Sequence, residues 1–282
     1  MVDARHGRGG GAGPAGRARA AWTRAAGVAG GGQCPSEGGA AVVTSIARQT
    51  ERQLGGPRSV LVRQQRDHQE LDRLVHAIDA AEGDERLDLL TDLARLVFPH
   101  AFAEESVLWP AIRRVLPEGE QLTLQIEQEH QEINELWSEL EQTTPGDGRH
   151  EELWPRIVEL LREDVRDEED ELLPRLQEKL GRRGLVQLGL SWEVVRRIAP
   201  TRPHPVVARR PPGNVAAALP MTVLDRSRDL LDRTARTRDG RVAQLAGGLS
   251  RAAAGVAGRL EHVPPLTEGE DPSTHSGRSD RT

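Results

Sequence analysis

Between Pro57 and Leu180 the apolar residues recur at steps of three and four, which places them on one face of an α-helix. A first stripe runs Leu61, Gln64, His68, Leu71, Val75, Ile78 and ends at the Glu82-Gly83-Asp84 break. A second runs Leu90, Leu93, Val97, His100, Glu104, Val107, Ala111, and the Pro117-Glu118-Gly119 turn closes it. A third holds Leu122, Ile126, His130, Ile133, Trp137 and Leu140; beyond the Thr144-Pro145-Gly146-Asp147-Gly148 break, a fourth holds Leu153, Ile157, Leu160, Asp164, Glu168 and Leu172. Four amphipathic helices joined by short turns predict an all-α fold, an up-down-up-down four-helix bundle over residues 57–180.

The flanks lack this order. Residues 1–56 begin with a Gly/Ala/Arg mixture that has no apolar periodicity over 1–42, so this segment is expected to be disordered, or to precede a start at Val43. Residues 181–220 read as a helix extension, Leu185 to Ile198, followed by a proline-rich linker, Pro200 to Pro220. Residues 221–282 read as an Arg/Ala-rich amphipathic helix with a disordered tail after Pro264. Composition supports a small domain with extensions: 37% hydrophobic residues, five Trp, two Phe and no Tyr in 282 residues do not fill a core along the whole chain.

Charge divides the chain in the same places. Residues 1–56 carry 7 basic and 3 acidic side chains, residues 57–180 carry 14 and 31, and residues 181–282 carry 17 and 10, for a net of −6. No chain-wide basic field exists, so no nucleic-acid partner is expected. The single cysteine, Cys34, excludes an internal disulfide framework and a thiolate zinc site. The longest uncharged run, Pro211 to Leu224, holds three prolines and is too short to cross a membrane. Arg17, Arg19 and Arg24 interrupt the Ala-rich start before a secretory segment can form. No membrane partner is expected, and the cytoplasm is the expected compartment.

An internal repeat points to the chemistry. Asp67-His68-Gln69-Glu70-Leu71 matches Glu129-His130-Gln131-Glu132-Ile133. His100-x-x-x-Glu104-Glu105-x-x-x-Trp109-Pro110 likewise matches Asp164-x-x-x-Glu168-Glu169-x-x-x-Leu173-Pro174. The bundle is therefore two copies of one helical hairpin, each offering one residue from its first helix and an i, i+4 pair from its second. Three imidazoles (His68, His100, His130) and three carboxylates (Glu104, Asp164, Glu168) fall on apolar stripes, where an unpaired buried carboxylate costs several kcal/mol. A bound cation removes that cost, and residues four apart chelate it from one helix face. A donor set of imidazole and carboxylate without thiolate suits iron or manganese.

At these residues the sequence resembles the hemerythrin-like family, the HHE cation-binding domains, of the actinobacterial type: a lone His on helix one, H-x-x-x-E on helix two, a lone His on helix three and a fourth-helix pair. The Ala199-Pro-Thr-Arg-Pro-His204-Pro stretch resembles an extension of actinobacterial members. The resemblance implies a non-haem di-iron centre with His68, His100, His130 and Asp164 as terminal ligands and Glu104 and Glu168 as bridges. Two positions depart from the pattern. Asp164 stands where the family has histidine, and Asn134 stands one turn after His130, where oxygen-carrying members have a second histidine. More carboxylate favours ferric iron and weakens simple oxygen carriage.

Other residues receive blander readings. Glu105, Asp167, Glu169 and Asp170 are assigned to a solvated helix face, His76 and His150 to the surface, and Trp109, Trp137 and Trp154 to packing. Pro99 is expected to kink helix two directly before His100. The functional expectation is an iron-binding protein that binds or senses oxygen, peroxide or nitric oxide, or that buffers iron. The alternatives are a di-iron enzyme acting on peroxide or oxygen, and a metal-free interaction module. A protein partner for the C-terminal extension is left open.

Overall fold

The computed structural model describes residues 44–269 and 271–274, and every described element is helical. Helix α1 spans Val60–Ala80, and Ser59 caps it by accepting from the Leu61 N–H. Helix α2 (Gly83–Ala103) runs through a π-helical turn, Glu104–Leu108, into α3 (Trp109–Val115). Helix α4 spans Gly119–Leu140. Helix α5 (Gly148–Asp167) repeats the α2 pattern, with a π-helical turn at Glu168–Leu172 and then α6 (Leu173–Lys179). In each turn an i→i+5 bond forms, Trp109 N–H to Glu104 O and Leu173 N–H to Glu168 O. Pro110 and Pro174 follow directly, and neither has the N–H that an α-helical turn would require there.

The core is split into two apolar layers. One gathers Leu71, Val75, Ile78, Leu93, Val97, Phe98, Ile133, Trp137, Ile157 and Leu161. The other gathers Leu61, Leu108, Trp109, Ile112, Ile126, Leu172, Leu173 and Trp192. Along α1, α2, α4 and α5 alike, the polar positions singled out from the sequence lie between the stretches that fill these two layers. Close packing of α3 on α4 needs a residue without a side chain, since a Cβ on Gly119 would stand 2.7 Å from Ile112 O.

The flanks differ from the sequence reading in several places. Residues 1–43, 270 and 275–282 lie outside the described residues, and with them the expected disorder of 1–42 and the end of the expected tail. Within the expected N-terminal disorder of 1–56, Ile46 and Leu54 are fully buried in the second core layer, and Gln49 exchanges hydrogen bonds with Gln177. The proline-rich segment after α7 (Arg182–Arg197) is packed, with Thr201, His204, Val207, Ala208 and Arg209 buried. Proline fixes the local backbone there, and polar contacts to α4 hold the segment: Gln131 Nε2 donates to Pro205 O at 2.9 Å, and the His204 N–H donates to Asn134 Oδ1 at 3.0 Å. Helix α8 begins at Gly213, not at 221, spans Gly213–Thr237 and accommodates Pro220. Helix α9 (Gly240–Leu260) folds back on α8, and α10 (Pro264–Thr267) buries Leu266 in the region expected to be a tail. Val207, Ala217, Met221, Ala257 and Leu266 form a separate small apolar cluster beneath this hairpin.

Candidate metal centre

Two groups of donor atoms converge in the polar layer between the apolar cores. His68, His100, Glu104 and Glu168 form one, and His130, Asp164 and Glu168 the other, with the donor atoms of each group within 4.8 Å of one another. These are the six residues marked from the sequence, and Glu168 belongs to both groups. His100 Nε2 lies 2.9 Å from Glu104 Oε1, His68 Nε2 3.3 Å from Glu168 Oε2, and His130 Nε2 3.4 Å from Asp164 Oδ1. Glu104 also faces the second group, with its Oε2 3.8 Å from His130 Nε2. Gln64, one turn before His68, donates to Glu104 Oε1 at 2.6 Å.

Every imidazole points Nε2 inward, and its Nδ1 is engaged by a carboxylate on the outer side. His68 Nδ1 is 2.9 Å from Glu169, His100 Nδ1 is 3.1 Å from Asp67, and His130 Nδ1 is 2.9 Å from Glu105. Such outer carboxylates fix the ring orientation and leave Nε2 as the free donor for a cation. Glu105 is thus buried, and Glu169 is tied to His68; neither belongs to a solvated face. The signal for both was the Glu-Glu doublet in each repeat, and for Asp67 the acidic residue preceding His68. His150 also departs from its reading: it is buried, with Nδ1 2.9 Å from Thr143 Oγ1, because the chain folds back at residues 141–147. His76 is exposed as expected.

Residues 61–176 match the family described as the hemerythrin HHE cation binding domain. Over this segment the chain is similar to hemerythrin-like HHE domains. An uncharacterized hemerythrin-like protein of Schizosaccharomyces pombe is 24% identical to the chain over 135 residues, which is 48% of this chain and 66% of the relative. No solved structure matches.

The electrostatics of the HHE domain fit a cation. Glu104 Oε2, Asp164 Oδ1 and both oxygens of Glu168 are buried without a hydrogen-bond partner. Burial, then the neighbouring Glu104 and Asp164 carboxylates, push Glu168 up to about 8. Burial alone would lower His100, but Glu104 and Asp67 carry it up to about 9. His68 and His130 are also raised, against burial, by the carboxylates around them. The surrounding carboxylates thus favour the protonated rings, a positive charge that a cation could supply instead.

The extension after the bundle completes the outer surroundings of the site. Trp192 of α7 stands edge-on to His100 at 5.4 Å, and Arg196 pairs with Asp67 at 2.9 Å. Arg209 donates to Gln131 Oε1 and to His204 O, and its Nη1 lies 3.9 Å from Glu105 Oε2. Asn134 donates to His130 O and accepts from the His204 N–H, so its side chain anchors the extension. Beside His68, His100 and His130 lies a cavity of about 20 Å³, walled mainly by Leu71, Leu96, Val97, Phe98, Ile133 and Leu161.

Proposed function

We propose that the HHE domain is an up-down-up-down four-helix bundle holding a dinuclear non-haem iron centre, and that it binds or senses oxygen, peroxide or nitric oxide or buffers iron. His68 and His100 would serve one metal and His130 and Asp164 the other, with Glu104 and Glu168 as the carboxylates shared between them. The observation that carries this reading is the set of carboxylate oxygens on Glu104, Asp164 and Glu168 that make no hydrogen bond, buried between two apolar layers and faced at 3.3–3.8 Å by the Nε2 atoms of His68 and His130. Such a layer is costly unless a cation occupies it.

When bound, iron supplies open coordination positions and redox chemistry to a small ligand. The chain supplies the selection: on a scale where roughly 10–15 Å³ admits one water, the 20 Å³ apolar cavity suits a diatomic or peroxide-sized molecule and no larger substrate. With Asn134 committed to the extension and Asp164 adding negative charge, the donor set favours ferric iron over reversible oxygen carriage. Manganese suits the same donors. A cytoplasmic setting, with Cys34 reduced, is consistent with this chemistry.

The test is anaerobic ferrous titration of metal-free full-length protein, followed by elemental analysis against a manganese competitor. Two irons per chain are expected, with a spectral change on adding nitric oxide. Failure to retain any transition metal refutes the proposal and leaves an interaction module.

A further inference from the structure

The α8–α9 hairpin divides its charges between its two faces. Three of its four carboxylates, Asp225, Asp229 and Asp232, point inward. Asp225 accepts from the backbone N–H groups of Thr201 and Arg202 and lies 2.9 Å from His204 Nε2, while Asp229 pairs with Arg202. The outward face carries cations and aliphatic side chains. On α8 it runs Val215, Leu219, Val223, Arg226, Leu230, Arg233, and on α9 Val242, Leu245, Leu249, Ala252, Val256, Arg259, all at steps of three and four. The valines and leucines of both rows are at least half exposed. Arg238 and Arg241 add charge at the hairpin tip, and among the described residues Arg233, Arg238, Arg241 and Arg259 meet no carboxylate.

Exposed apolar side chains in this number mark a contact surface. A second copy of the chain is a poor occupant. Face-to-face pairing would bring the arginine sets of two hairpins together with Asp239 as the one fully exposed acid on each hairpin. Pairing with the acidic bundle of another copy offers no apolar counterpart, because every exposed large hydrophobic among the described residues lies between Leu190 and Val263. A surface that is both apolar and anionic satisfies both halves of the pattern. Arginines set among aliphatic residues can extend to phosphates while their stems stay in the apolar zone. No described helix is long and apolar enough to cross a membrane, so the hairpin would lie on the surface.

We infer that the outer face of the α8–α9 hairpin docks on anionic phospholipid, placing the HHE domain at a membrane surface. The acidic bundle is then turned away from the lipid charge, and the hairpin is held to it by the inward carboxylates.

Flotation of the metal-loaded full chain with vesicles tests this. Vesicles of phosphatidylglycerol and phosphatidylcholine in equal parts should carry the protein, pure phosphatidylcholine should carry much less, and salt should release it. The double variant Leu219→Asp/Leu245→Asp should lose binding more than about tenfold while keeping native helicity and iron content, since both side chains are exposed. Arg233→Gln and Arg241→Gln should each weaken binding by about fivefold. Equal flotation of native and double-variant protein, or no flotation with anionic vesicles, overturns the inference. So does a stable dimer in sedimentation that Leu219→Asp dissociates, which would assign the face to a second copy.

Discussion

Replacing Glu168 by glutamine separates the cost of this residue to the apo fold from its value to the metal centre. Glu168 is fully buried and held up to about 8, against an ordinary value of 4.5. A carboxylate raised in the folded state contributes fully below its unfolded pKa, and that stability is lost as pH rises toward the folded value. Between about pH 5 and pH 7.5 the apo protein should therefore lose about 3 kcal/mol through this group, from 1.36 kcal/mol per unit. That corresponds to about 6–12 °C in melting temperature for a domain of this size. The raised His68 and His100 add to the same downward slope, being lost as pH rises through their folded values. Glu168→Gln cannot ionise, so its apo melting temperature should vary much less over that interval, whatever constant offset the amide introduces. With iron the order reverses: native protein should gain stability and take up two equivalents, and the variant should gain less and hold fewer. The assay is thermal unfolding of chelator-treated and iron-loaded protein across that pH range. Identical pH slopes for the two apo proteins would refute the argument that Glu168 is a buried, unrelieved carboxylate, and an unchanged iron stoichiometry would remove it from the shared position.

Asp164→Ala should cost one of the two irons while Asp164→His keeps both and raises the redox midpoint; iron content and midpoint equal to native in both would take Asp164 out of the site. Gly189→Ala should destabilise the protein by about 3 kcal/mol, because a Cβ there overlaps Arg58 O and stands 2.7 Å from Val60 N, forcing α7 and its Trp192 away from His100. Gly184→Ala, whose Cβ meets nothing closer than a Leu180 side-chain atom at 3.6 Å, is the control and should melt like native protein. His204, buried between Asp225 and Glu261 and carried up against burial to about 9, should stabilise the docked extension below about pH 6.5 and lose that contribution as pH rises through about 9. Protection of the α8 and α9 amides, taken relative to the intrinsic base-catalysed exchange rate, should fall over that window in native protein and not in His204→Gln.

The helices of residues 57–180 and the convergence of six histidine and carboxylate side chains were legible in the sequence because both are local or periodic properties. A three-four spacing sets a helix face without reference to any partner, and a histidine or carboxylate interrupting that face at the same place in two repeats shows that the interruptions belong to one layer. The outer partners were not legible. Glu105 reads as a solvated acid until the packing of α2 on α4 buries it against His130, and Asp67 meets His100 only once α1 packs on α2. His150 became buried only through the reversal of the chain before α5, and Ile46 and Leu54 only because the end of the bundle needed apolar cover. The proline-rich segment has no periodicity to read, since proline carries no helical or strand repeat and its contacts to Asn134 and Gln131 span 70 and 74 residues. What the sequence by itself determined was which apolar and repeated polar residues share the inward face of each helix, a consequence of backbone geometry. What only the tertiary structure decided was which inward residues meet and which charges find partners, because both depend on distances between segments that no local spacing encodes.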